Sequence, residues 1–225
     1  MTVLALTTAL TALTALTACG GGSGSGSTTT DTAGDNATAQ KIVLKQADLP
    51  SGWTSKTHQT SPDDATTRKR FFECIGGTDP KPQQSADVHS PDFTQGQLNQ
   101  ASSEVQLMKT AKDASDAMAA LQGAKTVDCV KQLGQEAAQT QLPAGTSITD
   151  LTAAQLKFPT LKDGTAAVRV SFTVATSGGV NVPIYADVVY FRAGRALASL
   201  STVSGGAPMD AKLEEGLAQK MASRA

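Results

Sequence analysis

The sequence of 225 residues holds one tryptophan, two tyrosines, two histidines and three cysteines. Nineteen basic side chains stand against 20 acidic ones, a net charge of −1. That balance leaves no basic stripe for nucleic acid and no polybasic patch for an anionic membrane surface. Arg68-Lys69-Arg70 is the one basic run, and three charges suit a solvated helix face. Catalytic signatures are missing as well. There is no Gly-x-Ser-x-Gly elbow, no Ser-x-x-Lys in a penicillin-binding setting, no P-loop and no Gly-x-Gly-x-x-Gly after a strand. His58 and His89 lie far apart in polar, proline-flanked stretches, without ligand spacing to any cysteine, so neither a metal site nor a cofactor is expected. Asp63-Asp64 reads as a helix cap, since calcium needs several oxygens at set spacing.

What is present begins at the N-terminus. Residues 3–18 are Ala, Leu, Thr and Val only, too short and too Thr-rich for a spanning helix of about 20 apolar residues. They fit the apolar region of a secretory signal. Leu16-Thr17-Ala18-Cys19, followed by the Gly/Ser tract 20–27, resembles a bacterial lipobox. The resemblance implies cleavage before Cys19, lipidation of Cys19 and a permanent tether at the outer face of the cell membrane. The basic residues that usually open a signal are absent, so the natural start is expected upstream. An uncleaved apolar tail is the alternative. The organisation expected is a signal peptide at 1–18, a lipidated Cys19 with a flexible linker at 19–40, and a folded domain at 41–225. As a random coil, residues 20–40 reach about 25 Å.

With Cys19 assigned to lipid, Cys74 and Cys129 remain, and two thiols left in an oxidising compartment usually pair. Low aromatic content with abundant Ala, Thr and Gly suits a high-GC, actinobacterial coding bias.

Residues 41–225 are long enough for one domain with a sizeable core. Residues 42–47 form a short helical face ending at Leu49-Pro50-Ser51-Gly52, a turn that delivers Trp53 to the core or to a ligand. Residues 67–75 form a helix stopped by Gly76-Gly77, and 79–92 a long polar loop. Residues 102–108 alternate as a strand, with Val105 and Leu107 opposite Glu104, Gln106 and Met108. Helices are expected at 112–121 and 127–138, then strands at 148–158, 165–176, 182–192 and 196–203. Met209, Leu213, Leu217 and Met221 mark the buried stripe of a closing helix. The fold class is α+β: a single domain with an antiparallel sheet, its C-terminal part a meander, and helices packed on one face.

Asp48-Leu49-Pro50-Ser51-Gly52-Trp53, a cysteine after an aromatic helix, the β meander and the terminal helix together resemble the extracellular sensor domain of PknH-like actinobacterial kinases, which also occurs in free-standing lipoproteins. That family has two disulfides and this chain has cysteines for one. The resemblance implies a non-catalytic, monomeric ligand-binding or sensor domain. Trp53, Tyr185, Tyr190 and Phe191 are the candidate lining of an apolar cleft for a small molecule or an envelope protein. A structural lipoprotein docking an envelope partner is the alternative, and a cell-wall or lipid-modifying enzyme the third reading.

Overall fold

A computed structural model describes residues 32–60, 62–140, 146–176 and 179–225. Cys19 and the signal region lie outside the described residues. The first element, α1 (Thr32–Ile42), begins inside the expected linker. Its composition is poor in apolar residues, but two anchors hold it. Ala39 is fully buried, and Asp35 accepts from Arg195 Nη2 at 2.5 Å and from the Ser85 hydroxyl at 2.5 Å. Residues 32–40 therefore belong to the folded unit, which corrects the linker boundary.

After α1 come β1 (Thr54–Lys56) and α2 (Pro62–Cys74). Gly52 precedes β1 with φ +92°, a backbone state glycine adopts without strain, and the turn delivers Trp53 to the core at 5% exposure. Half of the stretch expected as a loop at 79–92 is instead β2 (Gln84–His89) and the start of β3 (Asp92–Gln95). β4 (Asn99–Met108), α3 (Ala111–Leu121) and α4 (Thr126–Thr140) follow close to the expected limits. β5 (Thr146–Gln155), β6 (Gly164–Thr176), β7 (Asn181–Ala193), β8 (Ala196–Gly205) and α5 (Ala211–Ser223) complete the chain.

All eight strands join one antiparallel sheet in the order β1-β3-β4-β8-β7-β6-β5, with β2 also paired to β4. β2 and β3 share one edge of β4: β3 pairs with residues 99–101 and β2 with residues 104–108. The architecture is the expected α+β domain. The helices, however, cover both faces rather than one. Strand alternation explains the split. Val105, Leu107, Ala198, Leu200, Val189 and Phe191 point to the face covered by α1 and α5. Met108, Leu197, Ala166 and Tyr190 point to the opposite face, under α2, α3 and Cys129 of α4. The Cys74–Cys129 disulfide joins α2 to α4 with Cα atoms 5.8 Å apart, pinning that layer. No helix among the described residues is long and apolar enough to cross a membrane.

Candidate functional site

The four aromatics expected to line a cleft do not meet at one. Phe191 and Trp53 are buried in the same core cluster. Tyr190, one residue along β7, faces the opposite layer and packs against α2–α4. Tyr185 is half-buried on the Phe191 side. None of them lines either of the two cavities described below.

The two histidines, far apart in polar stretches of the sequence, come together in the fold. His58 follows β1 and His89 ends β2, and the sheet order brings both to the same rim. Their rings stack with centroids 4.6 Å apart and planes within 9°. The stack borders a cavity of about 520 Å³ lined by Ser55, Lys56, Thr57, Thr60, Ser90 and Pro91 as well. Each ring has its own carboxylate. His58 Nδ1 lies 2.8 Å from Asp92 Oδ1, and His89 Nε2 lies 3.7 Å from Asp87 Oδ1.

Behind His89 the alternation of two strands builds an acidic rank. Asp87 and His89 are two apart on β2 and share a face; His89 pairs in register with Glu104 and Asp87 with Gln106 on β4. Donor atoms of Asp87, His89 and Glu104 all lie within 4.8 Å of one another. Lys81 Nζ donates to Asp87 Oδ2 at 2.7 Å, and the Gln106 amide donates to Glu104. Asp87 Oδ1 is buried with no hydrogen-bond partner. Burial, and then the charge of Asp87, push the Glu104 carboxyl above the usual carboxylate range. The row continues inward through Ser199 to Tyr190, whose hydroxyl is pushed far up by burial and by the charge of Glu104. Ser90, beside His89, is committed to structure. Its hydroxyl donates to the Pro91 carbonyl at 2.8 Å and accepts from the Ser103 amide at 2.9 Å.

A second polar cluster lies under α5 on the opposite face. Arg169 forks onto Asp187 at 2.7 and 2.5 Å, and Asp187 is 1% exposed. Glu214 of α5 is equally buried and accepts from the Thr202 hydroxyl at 2.7 Å. Burial, with the charge of Asp187 beside it, pushes Glu214 up to about 7. A smaller cavity of about 270 Å³ separates α5 from residues 48–50. There Arg224 grips Asp48 and the carbonyls of Ile42 and Val43, tying the C-terminus to the end of α1. Burial raises the cost of charging Asp48, but Arg224 and the Lys45 amide outweigh it and hold the carboxyl low. Asp35 is held low by Arg195.

These shifts set the pH dependence of stability. Glu214 holds its proton in the folded state over a range where the unfolded chain releases it. Its contribution is therefore complete below about pH 4.5 and is lost as pH rises towards 7. The slope reaches about 1.4 kcal/mol per pH unit at its steepest. Asp35 and Asp48 act oppositely and withdraw stability as pH falls below the usual carboxylate range. Urea midpoints measured from pH 3 to 8 are expected to peak on the acidic side of neutrality. The Glu214→Gln variant is expected to flatten the decline above the peak, and an unchanged decline would contradict the assignment.

Aside from Asp87-x-His89, no signal in the sequence marks the first cluster, and that alternation is visible only once the segment is recognised as a strand.

No protein-family model matches the chain, and no curated protein matches it. Among solved structures it is similar to the crystal structure of the extracellular domain of PknH from Mycobacterium tuberculosis. The identity is 12%, with 84% of this chain and 95% of that one covered and a TM-score of 0.48. The likeness transfers no residue role.

Proposed function

We propose that the chain is a lipid-anchored extracytoplasmic domain that binds a ligand at the His58–His89 cavity and performs no catalysis. The single observation carrying the binding half is the histidine stack. Two rings distant in sequence, each beside its own carboxylate, meet at the mouth of the larger cavity. Support for the non-catalytic half is that the hydroxyl of Ser90, next to His89 in the chain and in the cavity lining, is engaged by two backbone groups. A nucleophile needs its hydroxyl free to give a proton to a base.

The address rests on different residues. Leu16-Thr17-Ala18-Cys19 carries the lipidation reading, and a disulfide between the two remaining cysteines suits an oxidising compartment. Cys19→Ala is expected to move the protein from the membrane fraction to the soluble fraction. Unchanged membrane association, with no lipid mass on the N-terminal peptide, overturns the anchoring. Turnover of a cell-wall or lipid substrate by the purified protein overturns the non-catalytic reading.

A further inference from the structure

We propose that Asp87, His89 and Glu104 form a binding site for a divalent transition-metal cation of the zinc type. The inference rests on the reading of the histidine cavity as the ligand site, and it names the ligand. Three side chains from paired strands present one imidazole nitrogen and two carboxylates, with all donor atoms within 4.8 Å of one another. Zinc bonds imidazole and carboxylate at about 2.0–2.2 Å, so tetrahedral donors stand about 3.3 Å apart. His89 Nε2 and Asp87 Oδ1 are already at 3.7 Å. Small side-chain rotations close the rest, because the β2–β4 register fixes the backbone beneath them.

One observation beyond the cluster's geometry points to a cation here. Asp87 Oδ1 is shut away from solvent and makes no hydrogen bond, facing His89 Nε2 at 3.7 Å, although its sister oxygen takes Lys81. Such an atom is costly to bury unless something positive meets it. Gln106, 8% exposed and paired in register with Asp87, holds Glu104 through its amide nitrogen. The surroundings also have the form of an outer shell that orients ligands. Lys81 fixes one oxygen of Asp87, Gln106 fixes Glu104, and the His58 ring, keyed by Asp92, lies flat against His89. One imidazole with two carboxylates suits zinc better than the all-oxygen sets of magnesium and calcium. Three protein ligands leave a position open, and His89 places it beside the cavity.

The test is isothermal titration of the purified chain with Zn²⁺, repeated on His89→Ala and Glu104→Gln. The expected result is one equivalent bound by the wild type and at least tenfold weaker binding in each variant. A shift of the His89 ring nitrogen on zinc addition, followed by NMR, supplies a second readout. It does not depend on the variants folding. Absence of saturable binding overturns the proposal, as does binding that is unchanged in both variants or that leaves the His89 ring unmoved. If zinc fails while another species is held by His58 and His89, the metal inference falls and the cavity reading stands.

Discussion

Arg169→Met is expected to lower stability by about 3–5 kcal/mol at pH 7, the usual cost of removing one partner from a buried ion pair. Asp187 is 1% exposed and receives both arms of the Arg169 fork. Without the guanidinium, Asp187 would face the buried Glu214 with no cation between them and the solvent. The loss should shrink as pH falls below about 7, where Glu214 takes up its proton and no longer opposes the Asp187 charge. The double variant Arg169→Met/Asp187→Leu should recover most of it, because no charge is then left stranded. Urea unfolding of the three proteins at pH 5 and pH 7 checks this. A loss under about 1 kcal/mol in the single variant would mean that the pair is solvated and that α5 does not seal it.

The second large effect is expected from the disulfide. Cys74→Ser/Cys129→Ser opens a link across a sequence separation of 55 residues. The chain-entropy account assigns such a link about 4 kcal/mol. The packing adds a specific consequence. Phe72, Ile75, Met118 and Leu121 form the layer that the bridge pins, and this smaller cluster has less apolar mass than the one under α1 and α5. Loosening should start at α2. Hydrogen exchange is expected to quicken first in Pro62–Cys74 and to leave Val189 and Leu200 protected. The urea midpoint should fall equally in the variant and in the reduced wild type. Equal protection in α2 before and after reduction would contradict the assignment.

How far the sequence discloses this molecule depends on where the information is local. β6 and β8 and the closing helix α5 were legible because period 2 and period 3.6 are carried by large apolar side chains. The cysteine pair was legible by count. β2 was not, because its inward positions are Ala86 and Val88 alone and two prolines lie just before it. α1 was not, because what holds it is Asp35 meeting Arg195, a contact 160 residues away. Helices on both faces were missed for a related reason. Arg169, Ser171 and Thr173 look like a solvent face, yet α5 covers that side and buries Asp187 and Glu214. The histidine site was hidden twice over. His58 and His89 meet only through the strand order β1-β3-β4, and the segment holding His89 does not read as a strand. Among the aromatics the sequence offered, strand parity separates Tyr190 from Phe191. Tyr190 and Phe191 are adjacent on one strand and cannot line the same cleft.

The binding claim is tested most directly by native mass spectrometry of the protein recovered from the membrane fraction of its host, wild type beside His58→Ala/His89→Ala. Both side chains are partly exposed, so the variant is expected to keep the wild-type melting temperature within a few degrees. The account predicts a bound species of constant mass on the wild type that is lost from the variant. A wild type with no bound species, or one whose bound species persists undiminished in the variant, would contradict it.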